Sequence, residues 1–248
     1  MKSFLISYLL ASSACATPLL IPRQGTCPAG GLSATRAAQI RSAFQSTRVV
    51  PDSVPDIQPT TELQVKYGNI NENLGNEFNV LQTLQEPRFS FQPEAGYDPA
   101  TTKYTYIQVD PDAPGPALPL LRQFLHHIVY DVQPSCIAAQ IPKTQARYMP
   151  LTPLSVSAHR YVSLLYRQPP NYTPPPLNLV EDVARAPFDL QKYVNEGRLQ
   201  LVGGNFMREG LGTTLCALVP GCTATGAGYN GPLDGSALTG VVNIITGA

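Results

Sequence analysis

The residues of this chain best suited to chemistry fall in three places. Asp110 and Asp112 flank a proline in "VDPDAPG", His126 and His127 adjoin in "FLHHIVYDV", and His159 stands two residues before Tyr161 in "HRYVSLLYRQ". These segments contain all 3 histidines of the sequence. Carboxylates beside imidazoles support two arrangements. The aspartates can hold histidines in the charged form and prepare a site for an anion, or burial can keep one carboxyl protonated and leave an acid and a base in one pocket. Residue types alone do not choose between these. A plainer explanation competes at each place: Asp-Pro and Pro-Gly pairs end strands for backbone reasons, and a histidine within a β core is commonly hydrogen-bonded structure.

Joint placement on strands favours a site. Side chains alternate along a pleated strand, so His126 and His127 are expected on opposite faces, while His159 and Tyr161 share one. One histidine of the first pair can then join His159 and Tyr161 around a common hollow. Tyr104 to Val109 alternates as a half-buried strand ending at the aspartates, and Phe124 to Val132 and Ala158 to Gln168 are the most apolar strands, expected at the sheet centre. "TELQVKYG" and "EPRFSFQP" add two more. Ser33 can cap a helix carrying Ala37, Ile40 and Phe44, ending before "VVPDSVPD", where two prolines should force extended backbone. Asp182 to Gly197 contains a second helix, clearest in "FDLQKYVNEG", and "LQLVGGNFM" reads as a last strand with a glycine kink.

Composition sets the frame. The 248 residues, 43% hydrophobic, suffice for one sizeable core, and 25 prolines with 19 glycines imply a turn-rich, β-rich fold. Seventeen basic side chains balance 17 acidic ones, so bulk charge gives no basis for binding nucleic acid or an anionic membrane. Residues 1–16 have the basic start, short apolar run and small-x-small end of a secretory signal peptide, too short for a permanent transmembrane segment. A linker (17–32), a single domain (33–222) and a low-complexity tail (223–248) follow. Cleavage leaves Cys27, Cys136, Cys216 and Cys222, an even number in an oxidising route, from which two disulfides are expected. The short Cys216–Cys222 separation favours a local bridge and leaves Cys27 for Cys136. Asn171 opens the glycosylation sequon Asn171-Tyr172-Thr173. No metal-ligand spacing, P-loop, dinucleotide fingerprint or G-x-S-x-G elbow occurs, and nothing in the chain places a particular serine near a base. Neither a metal, a cofactor nor a covalent serine hydrolase is expected.

Taken together, "VDPDAPG", "FLHHIVYDV" and "HRYVSLLYRQP" resemble the signature set of the phosphatidylethanolamine-binding protein family, with weaker similarity over roughly residues 35 to 208. The resemblance implies a large antiparallel sheet, a smaller sheet, peripheral helices and a small anion-accepting pocket. By position it assigns Asp110, Asp112, His126, His159 and Tyr161 to ligand binding and Phe124 to the pocket rim. Gly115-Pro116 and the glycine-free "LTPLSVSAHR" depart from the family pattern, and Leu151 replaces a small residue, which implies a reshaped pocket. The expected role is binding of a carboxylate, phosphate or anhydride-like molecule in the secretory pathway, as an enzyme or accessory protein of fungal secondary-metabolite biosynthesis with a biosynthetic enzyme as its partner. The alternative is a phospholipid head-group binder or an inhibitor whose partner is a serine carboxypeptidase. The sequence does not decide whether there is catalysis.

Overall fold

Ser33 starts the first helix through its side chain, which accepts a hydrogen bond from the Arg36 N–H at 3.2 Å. The helix, α1 (Ala34–Ser46), buries Ala37, Ile40 and Phe44 on one face. The stretch after it differs from expectation: Val49–Asp52 is a single helical turn, α2, and not extended throughout. Within that turn only Val50, which precedes Pro51, has extended angles (φ −97°, ψ 120°), because the proline ring crowds the residue before it. The computed structural model describes residues 27–137, 141–153, 155, 157–177, 185–212, 214, 224–225 and 228–229. The expected signal peptide and the expected Cys216–Cys222 bridge lie outside these residues.

Two sheets follow. The smaller has the order β2-β1-β4, from β1 (Leu63–Tyr67), β2 (Ile70–Asn71) and β4 (Arg88–Phe91). The larger comprises β3 (Glu77–Phe78), β5 (Tyr104–Asp110), β6 (Phe124–Val132), β7 (Lys143–Ala146), β8 (His159–Arg167) and β9 (Gln200–Glu209). Its order is β3-β9-β8-β5-β6-β7, antiparallel except where β3 joins β9. Helix α3 (Leu190–Glu196) is capped by Asp189 and stops at Gly197. Within the low-complexity tail, β10 (Ala224–Thr225) pairs with β11 (Gly228–Tyr229).

The sheet centre is β5 beside β8, with β6 one place further out. Strand β5 is buried along its whole length, not on one side only. Ile107 and Val109 pack with Ile40 and Phe44 of α1 and Leu190 of α3, while Tyr104 and Tyr106 pack with Leu63, Val65 and Phe91 of the smaller sheet. The main sheet is thus the middle of three layers, and both faces of its central strand are apolar for that reason. The paired glycines of β9 serve close approach and not a kink: a Cβ on Gly204 would meet the Phe44 ring at 2.7 Å, and one on Gly203 would meet the Thr61 carbonyl oxygen at 2.9 Å. The irregularity falls one residue earlier, since Leu165 pairs with Gly203 and Tyr166 with Leu201, leaving Val202 as a bulge. Cys27 and Cys136 form the expected disulfide.

Between the sheets lies a polar layer. Gln108 donates to the Tyr67 hydroxyl at 2.7 Å, and Ser163 donates to Glu72 Oε1 at 3.1 Å. Burial pushes the Glu72 carboxyl from 4.5 up to about 8, only partly offset by the Ser163 hydrogen bond. A carboxyl with a raised folded-state value stabilises below its unfolded value and loses that contribution as pH rises through the folded one. Wild type should therefore lose stability from about pH 4.5 towards about pH 8 relative to Glu72→Gln, whose amide cannot ionise. Urea midpoints of both proteins across this range check it; parallel pH profiles would show that Glu72 does not titrate there.

Candidate functional site

The site is built on the turn Asp110-Pro111-Asp112 at the end of β5. Asp110 Oδ1 accepts a hydrogen bond from the Asp112 N–H at 2.6 Å, closing the turn around a proline whose φ is fixed. The two carboxylates then separate. Asp110 Oδ2 lies 2.7 Å from His159 Nδ1. Asp112 Oδ2 accepts from the backbone N–H and the Nε–H of Arg160, both at 2.8 Å, and its Oδ1 accepts from Arg160 Nη2 at 2.6 Å. Arg160 continues to the Thr47 carbonyl at 2.8 Å and to Asp52 Oδ2 at 2.9 Å. Asp112, expected among the ligand-binding residues, has both oxygens engaged by Arg160. It positions the turn.

His126 reaches the same place through a β-bulge. Gln108 pairs with His127 and Val109 with Leu125, so His126 is the extra residue on β6. The expectation that His126 and His127 occupy opposite faces fails here, because the bulge interrupts the alternation on which it rests. The His126 ring stands edge-on to Tyr161 (centroids 5.3 Å apart) and 5.0 Å from Phe124. His127 stands against Tyr106 and Tyr148, and Tyr106 belongs to the same core cluster as Tyr161. The two histidines therefore separate along one face: His126 joins Asp110, His159 and Tyr161, while His127 is fully buried in the core. His159 stacks on Tyr161 at 6.1 Å, and Phe124 is half-buried at the edge of the group.

Electrostatics bear on the first of the two arrangements, in which the aspartates hold a histidine charged, and for His126 they oppose it. Burial pulls its imidazole from 6.5 down to about 4, and the Asp110 charge only partly opposes this. Its Nδ1 donates to the Met149 carbonyl at 2.9 Å, which leaves Nε2 as the acceptor in a ring neutral near pH 7. His127 is likewise pushed down to about 4 by burial. Burial raises the Tyr161 hydroxyl well above its usual range, so it stays a donor.

Several residues here carry little or no signal in the sequence. Ser155 Oγ lies 3.0 Å from His159 Nε2. Glu209 pairs with His159 across β9; Thr83 donates to it at 2.7 Å, and burial raises its carboxyl to about 8. The buried Arg185 guanidinium donates to the carbonyls of His126 (3.0 Å) and Arg147 (2.8 Å). Serine spacing cannot show which loop folds back onto a histidine, although an acidic residue ending the apolar run "NFMRE" is a faint indication for Glu209. Leu151, expected to reshape the pocket, is buried in the core between the sheets. Asn171 is exposed, at positive φ (56°). Among the described residues, no group of three or more His, Cys, Asp or Glu could hold a metal ion, and no helix is long and apolar enough to cross a membrane.

A family model described as phosphatidylethanolamine-binding protein matches residues 53–213. The chain belongs to this family. Phosphatidylethanolamine-binding protein relatives include CEN-like protein 1 of Nicotiana tabacum, 30% identical over 164 residues, which span 66% of this chain and 88% of that protein. A 26 kDa secreted antigen of Toxocara canis is 32% identical over 170 residues, 66% of this chain and 62% of the antigen. Among solved structures, carboxypeptidase Y inhibitor complexed with its cognate proteinase superposes with a TM-score of 0.59 at 22% identity, covering 70% of this chain and 96% of that one. The phosphatidylethanolamine-binding protein from Plasmodium vivax gives 0.56 at 20% identity, covering 68% and 95%. At these identities the structures establish the fold, as the sequence motifs implied.

The Asp112–Arg160 pair yields a prediction for this fold. Asp112→Ala should cost about 3–5 kcal/mol in denaturant unfolding, because Arg160 would keep its charge with one carboxylate fewer. Adding Arg160→Met should cost less than the sum of the two single changes; strict additivity would mean that the pair does not act as a unit.

Proposed function

We propose that this chain is a secreted, fungal-type phosphatidylethanolamine-binding protein relative that holds a small carboxylate, phosphate or anhydride-like molecule among Asp110, His126, His159 and Tyr161. Its place would be in a small-molecule biosynthetic pathway, as an enzyme or as an accessory protein. The observation that supports this reading is the His126 ring: Nδ1 donates to the Met149 carbonyl, which leaves Nε2 as an acceptor on a ring that stands against Tyr161, itself stacked on His159. Since His126 is neutral when free, an acidic ligand binds by bringing a proton. A hydrogen-phosphate or carboxylic acid O–H donates to Nε2, and transfer of the proton produces an ion-assisted hydrogen bond.

Binding should therefore follow the protonated form of the ligand. With the free imidazole at about 4, affinity for inorganic phosphate should stay level while the free ion is the monoanion and fall by up to roughly tenfold per pH unit above about pH 7, where a proton is taken up on binding. Calorimetry of wild type and His126→Gln in buffers of different ionisation enthalpy measures this. The variant should bind weakly and without the proton-linked slope. Equal, pH-independent binding by both proteins, or none by wild type, would reject the reading.

A second reading, inhibition of a serine carboxypeptidase, is favoured by the loop leaving the aspartate turn, where Leu118 (63%) and Leu120 (70%) are exposed. Inhibition by wild type that is lost in Leu118→Ser/Leu120→Ser and kept in His126→Gln would support it; no inhibition by wild type would dismiss it.

A further inference from the structure

Ser155 stands four residues before His159, at the bend leading into β8. Its Oγ lies 3.0 Å from His159 Nε2, and the other ring nitrogen lies 2.7 Å from Asp110 Oδ2. Exposure falls along this line: Ser155 is partly exposed, whereas His159 (1%) and Asp110 (3%) are buried. A hydroxyl near solvent, an imidazole behind it and a buried carboxylate behind that is an arrangement that makes a serine oxygen nucleophilic. We infer that Ser155, His159 and Asp110 form an acyl-transfer site, in which Ser155 Oγ attacks the carbonyl carbon of a small activated ester or anhydride.

Counting hydrogens supports this assignment. Asp110 already receives the Asp112 N–H on Oδ1, which fixes Oδ2 towards His159. As a carboxylate it only accepts, so His159 Nδ1 carries the hydrogen between them. In the neutral ring Nε2 then holds a lone pair, and the hydrogen of the 3.0 Å contact is the Ser155 hydroxyl's. Ser155 has a second acceptor, the Ser157 carbonyl oxygen at 2.7 Å. The hydroxyl thus turns towards Ser157 when His159 is protonated and towards Nε2 when it is neutral. Only the second state is poised for attack. The Ser155 carbonyl accepts from the Leu211 N–H at 3.1 Å, which anchors the bend. Gly115 leaves space beside the hydroxyl, since a Cβ there would lie 3.8 Å from Ser155 Oγ.

The reaction balances without a cofactor. Ser155 Oγ bonds to the carbonyl carbon as its proton passes to His159 Nε2, and Asp110 stabilises the imidazolium formed. Collapse breaks the bond to the alcohol or carboxylate leaving group, which takes that proton from Nε2. Water then attacks the acyl-serine, gives its proton to Nε2, and the proton returns to Oγ as the acid departs. This goes beyond the binding reading. It uses Asp110 and His159 but depends neither on His126 nor on phosphate affinity.

The test uses the full mature protein and a fluorophosphonate probe, from which Ser155 would displace fluoride. Intact mass should show a single adduct, mapped by peptide sequencing to Ser155 and absent in Ser155→Ala. His159→Gln should slow labelling about hundredfold or more. No adduct, an adduct at other serines, or undiminished labelling of a folded His159→Gln would overturn the inference. Should His159→Gln fail to fold, the presence or absence of the Ser155 adduct on wild type decides. Phosphate calorimetry on Ser155→Ala separates the two readings: binding kept with labelling lost supports both, and labelling of wild type without phosphate binding leaves the acyl-transfer site standing alone.

Discussion

The ion pair between Asp112 and Arg160 joins three parts of the chain that are distant in sequence. It holds the end of β5 to the start of β8, and through the Thr47 carbonyl and Asp52 it adds the junction of α1 and α2. Taking both charges from water costs about as much as their attraction returns, so the pair is a poor source of net stability. Its effect is on geometry. With Asp112 held on one side of the turn and its N–H engaged by Asp110, the second carboxylate is left facing His159. The orientation of that imidazole, and of whatever meets its far nitrogen, descends from a contact on the opposite side of the sheet.

Around this framework, burial outweighs pairing in setting charge. His126 and His127 are both pushed down to about 4, and Glu72 and Glu209 both up to about 8. Near neutral pH these histidines and these carboxyls are uncharged. At these four residues the interior is polar without being ionic, and a charged ligand meeting them has to alter a protonation state or bring its own counter-charge.

What the sequence made legible, and what it did not, follows from the range of the interactions involved. The cap at Ser33, the stop at Gly197 and the strands Phe124–Val132 and His159–Arg167 depend on nearby residues, and they stand where the pattern put them. The gathering of Asp110, His126, His159 and Tyr161 was legible only through the motif set, since no local rule brings β5, β6 and β8 together in that register. The bulge at His126 depends on how β6 pairs with β5, which residue alternation does not contain. The neutrality of His126 follows from how completely it is enclosed, and the sequence shows only its acidic neighbours. Ser155 was invisible for a similar reason: a serine in an aperiodic loop acquires significance only when the bend returns it to His159.

The bridge between Cys27 and Cys136 spans 109 residues of sequence. On a ribosome the first thiol emerges long before its partner, with α1 and strands β1 to β6 made in the interval. Oxidation to the native bond must wait until that much chain is available, and by then the strands it encloses can have begun to pair. The bond therefore closes only after α1 and strands β1 to β6 have been made. Once closed, it removes loop entropy worth roughly 4–5 kcal/mol from the unfolded chain in the simplest polymer account. The N-terminal segment is thereby fastened to the connection leaving β6, the strand that carries His126.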